Sequence, residues 1–133
     1  MIAEDYVSFE TAKLLKERGF DEPCECLYDT ENNDVSIVNG WMDVSNSELE
    51  GEEFARYSAP TLQMAMKWLR EVYNVAVSVY VFNRDLPIKE NGIRYTCDIA
   101  TTKISSKEGH LRLTGTYEQV CEAAIKYCLE NLI

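Results

Sequence analysis

Residues 58–82 read SAPTLQMAMKWLREVYNVAVSVYVF, and this stretch decides the fold because it predicts a helix that runs directly into a strand. Ser58 is predicted to cap the helix, and Pro60 falls in its first turn, where the missing N–H costs no hydrogen bond. The run VAVSVYVF then predicts a strand, because it is β-branched and aromatic throughout. Between the cap and the strand, apolar residues recur at helical spacing: Leu62, Ala65, Met66, Leu69, Val72 and Tyr73.

Similar signals on both sides of this stretch predict two more helices. Ser8 is predicted to cap a first helix over FETAKLLKER, which Gly19 ends in a left-handed conformation while Phe20 folds back onto it. Thr116 and Gln119 form a capping box that opens a terminal helix. Strands are predicted over CECLYD, before the central helix, and over IRYTCDIATTK, after it.

The segment VSIVNGWMDV, residues 35–44, allows two structures. Its Asn39-Gly40 pair is typical of a tight hairpin turn, because both residues tolerate positive φ. The same segment also fits one bent strand that pairs with CECLYD. Residues 45–57, which follow, are predicted to be an acidic connecting loop.

Together these elements predict a single α+β domain over residues 1–133. The predicted order is α-β-β-α-β-β-α, with an antiparallel sheet of about four strands and three helices packed mainly on one face.

The net charge is −10, and the acidity is confined to the N-terminal part of the chain. Residues 1–57 hold 15 Asp and Glu against 4 Lys and Arg, whereas residues 58–133 hold 8 against 9. Such a field repels phosphates, so we expect no direct binding to nucleic acid. We also expect no membrane span, because no apolar run reaches about 18 residues, and a cytoplasmic location, because the acidic start does not resemble a secretory signal.

The cysteines are predicted to be buried thiols, because their spacing fits no zinc module. They are Cys24, Cys26, Cys97, Cys121 and Cys128. The single histidine, His110, lies in a predicted turn, and no glycine-rich phosphate loop is present. We therefore expect a non-enzymatic protein without metal or cofactor; a small enzyme that uses Cys97 or His110 is the alternative.

Two groups of residues are candidates for a protein-binding surface. A partly exposed tryptophan beside a methionine is typical of an interface anchor, which favours Trp41 and the pair Met64 and Trp68. Both tryptophans equally fit a role in sealing the edge of the core. The second group belongs to the acidic run ELEGEEF: Glu48, Glu50, Glu52 and Glu53.

Three strings, GFDEPCECLYD, SAPTLQMAMKWLREVYN and TYEQVCEAAIKYCLENLI, resemble a family of small proteins encoded in the prophages and mobile elements of gut-dwelling bacteria. They fall within residues 8–30, 58–81 and 116–133. The resemblance implies a bacterial or phage origin in the cytoplasm, and it carries no activity and no functional residue.

These observations lead to one principal hypothesis: a phage- or element-encoded accessory protein that acts by binding a host or phage protein. An acidic decoy is the first alternative, in which the four glutamates imitate phosphates and occupy a nucleic-acid-binding groove. A homodimer through the flank of the central helix, with no partner of its own, is a further alternative.

Overall fold

The structure is a computed structural model that describes residues 2–31, 35–51, 55–82, 92–102 and 113–133, and only the backbone of Trp41. The chain divides into two compact units, unit 1 over Met1–Ala65 and unit 2 over Met66–Ile133. The single domain expected for residues 1–133 stays a prediction.

Unit 1 begins with helix α1, Phe9–Glu17, whose ends are fixed by the predicted residues. The Ser8 hydroxyl accepts the backbone N–H three residues on, at 3.2 Å. Gly19 has φ of 91°, and the Phe20 N–H donates back to the Leu15 carbonyl at 2.9 Å, as in a Schellman motif. Phe20 is buried, so both the predicted cap and the predicted stop are confirmed.

The sheet of unit 1 has three antiparallel strands in the order β2-β1-β3. Strand β1 is Cys24–Asp29, β2 is Ser36–Val44 and β3 is Arg56–Ala59. Helix α1 packs against β3. The Phe9 ring meets the rings of Tyr28 and Tyr57 edge-on, each at 5.6 Å between centroids.

The Asn39-Gly40 pair lies inside β2, which is one bent strand rather than a hairpin. Asn39 pairs with Cys26, and Val44 pairs with Cys24, so the four residues in between form a bulge opposite a single residue of β1. Neither residue of the pair has the positive φ that a type I′ turn requires. The bent strand, one of the two predicted alternatives, is therefore confirmed.

Glycine at position 40 is explained by crowding in this bulge. A Cβ atom there would lie 3.1 Å from the Met42 carbonyl oxygen and 3.5 Å from the Glu25 carbonyl oxygen. The first distance is shorter than ordinary van der Waals contact. Glycine at position 40 thus avoids a tight contact with the Met42 carbonyl within the bulge, and it does not serve a left-handed conformation.

The segment 45–57 contains more regular structure than the predicted loop. It holds a 3₁₀ helix, Asn46–Leu49, and the start of β3. The buried Asn46 side chain connects them, because its amide donates to the Phe20 carbonyl at 2.8 Å and accepts the Ser58 N–H at 2.9 Å. One side chain therefore joins the end of α1, the 3₁₀ helix and β3.

Helix α2, Leu62–Tyr73, begins three residues later than the Ser58 cap predicts. The cap is Thr61, whose hydroxyl accepts the Met64 N–H at 3.1 Å. Ser58 is buried in β3, and its hydroxyl donates to the Val44 carbonyl. The predicted Ser58 cap is wrong because Asn46 binds the Ser58 backbone and holds it in an extended strand.

The apolar face of α2 differs from the prediction at its C-terminal end. Leu62, Ala65 and Leu69 are buried as predicted, but Val72 is 56% exposed. The helix ends after Tyr73, because Asn74 adopts φ of 56° and the Val75 N–H donates back to the Leu69 carbonyl. Helical spacing predicts which face of a helix is apolar. Whether a side chain on that face is buried also depends on whether other elements pack against its turn of the helix.

Unit 2 contains an antiparallel pair of strands covered by a helix. Strand β4, Ala76–Val81, pairs in unbroken register with β5, Tyr95–Ala100. Helix α3, Tyr117–Asn131, packs against both strands. The predicted capping box is confirmed, because the Thr116 hydroxyl accepts the Gln119 N–H at 3.2 Å and the Gln119 side chain accepts the Thr116 N–H at 3.1 Å.

The described residues confirm the α+β class, the three helices and the antiparallel pairing, and the main elements follow roughly the predicted order α-β-β-α-β-β-α. The structure adds β3 and divides the strands described into two sheets. No helix in the described part of the chain is long and apolar enough to cross a membrane.

Candidate functional site

The candidate site lies on unit 1, where strand β2 forms one edge of the three-stranded sheet. Large apolar side chains of this strand face solvent: Met42 is 74% exposed, Ile37 45% and Val38 39%. Val35, just before the strand, is exposed as well. A concentration of exposed apolar side chains on one strand marks an interaction surface more often than scattered ones do.

A cleft of about 350 Å³ lies at the bulged end of this sheet. Glu4 and Tyr6 line it, and their segment is held beside residues 60–61, because the Val7 N–H donates to the Pro60 carbonyl and Tyr6 bridges to Thr61. Three carboxylates line the cleft, those of Glu4, Glu25 and Asp43. The remaining lining residues are Tyr6, Pro23, Cys24, Ala59, Pro60, Thr61, Gln63 and Met64.

Besides these carboxylates, the cleft contains the Tyr6 hydroxyl and the Cys24 thiol, whose raised pKa keeps both groups neutral at physiological pH. A hydrogen bond to Cys26 raises the pKa of the Tyr6 hydroxyl to about 12, with burial and nearby carboxylates acting in the same direction. Burial raises the pKa of the Cys24 thiol to about 12, and the charges of Asp43 and Glu22 add to this effect. A thiol that stays protonated is a poor nucleophile, so Cys24 is not an activated cysteine.

The acidic candidates of the segment 45–57 take up different positions. Glu48 accepts the Ser45 hydroxyl at 3.0 Å and so stabilises the start of the 3₁₀ helix. Glu50 is exposed just after that helix. Glu52 and Glu53 lie outside the described residues. Phosphate imitation by all four glutamates therefore stays a prediction, and Glu48 already has a structural role.

A second carboxylate holds the same segment in place. The Asp21 carboxylate accepts the Ser47 N–H at 2.6 Å. This backbone hydrogen bond lowers the pKa of Asp21, and the hydroxyls of Ser47 and Ser45 contribute further. The 3₁₀ helix is thus anchored by Asp21 and by Asn46.

The aromatic and methionine candidates also separate. Trp68 is only 7% exposed, and its ring packs edge-on against Tyr73 at 5.1 Å, so it seals the core, as the alternative reading of the sequence predicts. Met64 is 40% exposed and lines the cleft. Trp41 belongs to β2, and its side chain lies outside the description. The partial exposure expected of Trp68 is therefore wrong, whereas a protein-binding role for Trp68, Met64 and Trp41 stays a prediction.

The cysteines are buried and free, which confirms the prediction of core thiols. In unit 2, burial raises the pKa of Cys97, raises that of Cys121 to about 11 and raises that of Cys128 to about 12. Among the described residues, no three His, Cys, Asp or Glu side chains are grouped so as to hold a metal ion. His110, the other candidate for an enzyme, lies outside the described residues.

Comparisons with protein-family models, with curated proteins and with solved structures found no match to this chain.

Sequence reasoning missed the exposed edge of β2 and the cleft beside it. A signal was present for the edge, because Ile37 and Val38 are consecutive and must point to opposite faces of a strand. A strand with apolar residues on both faces needs cover on both sides or remains exposed. The cleft gave no such signal, because it joins residues 4–6, 23–25, 43 and 59–64, which only the fold brings together.

Proposed function

We propose that this protein is a non-enzymatic accessory protein that acts by binding another protein through strand β2. The exposed apolar side chains of Ile37, Val38 and Met42 carry the proposal, because they leave both faces of an edge strand apolar, which favours an interaction site. The raised pKa of the Cys24 thiol supports a binding role over a catalytic one. A prophage or mobile-element origin is part of the proposal and rests on the resemblance of the three strings.

The test is an affinity capture from bacterial lysate with three forms of the protein. The wild type is compared with the double variant Ile37→Ser/Val38→Ser and with Val72→Ser, a matched control at an exposed apolar position of α2. We expect proteins retained by the wild type and by Val72→Ser but lost with the double variant. Thermal unfolding followed by circular dichroism checks that each form is folded.

Two results would overturn the proposal. The first is capture no greater than that by an unrelated protein of similar negative charge. The second is an unchanged capture profile with the double variant, which would place the interaction on another surface.

A further inference from the structure

The outer edge of β2, with which no other described strand of unit 1 pairs, offers main-chain groups as well as apolar side chains. Residues 36–39 pair with β1 on one side, from Ser36 opposite Asp29 to Asn39 opposite Cys26. Within residues 2–31, 35–51 and 55–65, no strand pairs with the other side of β2. An edge of this kind presents outward N–H and C=O groups that a further strand can bind.

The side chains at this edge fit an added strand on both faces. Ile37 and Val38 are consecutive, so one lies on each face of the sheet, and both are exposed. An added strand places its own side chains alternately on the two faces and meets an apolar neighbour on each. Recognition by strand addition combines main-chain hydrogen bonds with such alternating contacts.

The charge of unit 1 indicates what kind of strand is bound. Unit 1 carries a balance of −11, because residues 58–65 add no charge to residues 1–57. The carboxylates of Glu4, Glu25 and Asp43 line the cleft, and Asp43 lies in the bulge that ends the regular part of β2. A basic segment complements this field, whereas a second copy of unit 1 brings the same negative charge and is repelled.

We infer that the partner contributes a short, extended, basic segment that adds to the edge of β2 beside residues 36–39. This inference rests on the proposed function and specifies the partner at the same site. The bulge limits the length of the added strand, because regular pairing stops after Asn39. Lysine or arginine side chains beyond that point are expected to be attracted by the negative charge of Asp43, which lies in the bulge and lines the cleft.

The probe is a display library of random twelve-residue peptides selected against the whole protein. We expect the enriched peptides to alternate apolar and β-branched residues and to contain lysine or arginine. Their binding should weaken about tenfold or more in Val38→Lys, because a lysine on an edge strand opposes further pairing and repels a basic peptide. The matched control Val72→Lys, on α2, should bind as the wild type does.

Two further measurements identify the mode of binding. In amide hydrogen exchange, the bound peptide should protect residues 36–39 and leave the exchange of α3 unchanged. The double variant Glu4→Gln/Asp43→Asn should bind less tightly and lose part of the dependence of affinity on salt concentration, because it removes two carboxylates from the cleft.

The outcomes separate this inference from the proposed function. Strand addition is refuted if no peptide is enriched, if enriched peptides lack basic residues, or if protection falls outside β2. A concentration-dependent dimer that protects β2 would also refute it, because the occupant would then be a second copy. If the lysate capture depends on Ile37 and Val38 while residues 36–39 gain no protection, protein binding stands and strand addition fails.

Discussion

Asn46 is expected to be the most sensitive polar residue of unit 1. Its buried side chain makes two hydrogen bonds, to the Phe20 carbonyl at 2.8 Å and from the Ser58 N–H at 2.9 Å. The substitution Asn46→Ala removes both hydrogen bonds, so the Phe20 carbonyl loses a donor and the Ser58 N–H loses an acceptor. Each such loss costs about 1–3 kcal/mol, so we expect the free energy of unfolding to fall by about 2–6 kcal/mol. The total free energy of unfolding of a native protein is only about 5–15 kcal/mol, so this loss is a large fraction of it.

The measurement is urea unfolding followed by circular dichroism. We expect a lower midpoint and an unchanged slope of the free energy of unfolding against urea concentration. Asn39→Ala is the matched control, because Asn39 is exposed and its amide donates, among the described residues, to the exposed Glu25 at 3.1 Å. We expect the control to lose less than about 1 kcal/mol, as surface substitutions usually do. If the two variants are equally stable, Asn46 does not connect α1 to β3 in the way described.

Two further predictions concern the bulge and the buried thiols. Gly40→Ala should lower the free energy of unfolding by about 1–3 kcal/mol, because its Cβ would crowd the Met42 carbonyl at 3.1 Å. Urea unfolding measures this loss, with Ser36→Ala, an exposed position on the same strand, as the control. Equal stability of the Gly40→Ala and Ser36→Ala variants would contradict the crowding. Stability should also fall as pH rises above 9.0, because unfolded thiols ionise there while the pKa of Cys24 and of Cys128 is raised to about 12 in the folded protein. The stabilisation is complete below pH 9.0 and is lost toward about pH 12. Thermal unfolding across this range measures the loss, and Cys128→Ala should show a shallower decline than the wild type. Parallel curves would exclude a contribution from Cys128.

Local signals in the sequence were enough to predict the helices and most of their ends. The Ser8 cap, the Gly19 stop and the box of Thr116 and Gln119 involve residues within a few positions of one another. The confirmed features share this property, because capping depends on the nearest turn of the chain.

The errors arose where residues distant in sequence decide the local structure. Ser58 has the residue type and position of a helix cap, but Asn46, twelve residues earlier, fixes it in a strand. The acidic composition of residues 45–57 suggested a loop, whereas the bonds from Asp21 and Asn46 order part of it. A pattern within one short stretch of sequence cannot reveal contacts between residues that lie far apart along the chain.

The candidate site was the hardest feature to predict, because none of its residues has an unusual local sequence. Trp68 and Met64 have similar positions on an amphipathic helix, and only the packing shows that the indole is buried and the thioether exposed. Conversely, Glu4 and Asp43 are far apart in the sequence, yet both line the same cleft in the folded protein.

The bulge after Asn39 also bears on how this protein behaves at high concentration. Fibrils grow when long, flat strands stack edge to edge, and an apolar edge is a common starting point for them. Here the straight part of the edge is four residues long before the backbone turns out of line. A template this short is long enough to pair with one short added strand but too short for extended stacking of copies, so we expect the bulge to oppose fibril growth from this edge.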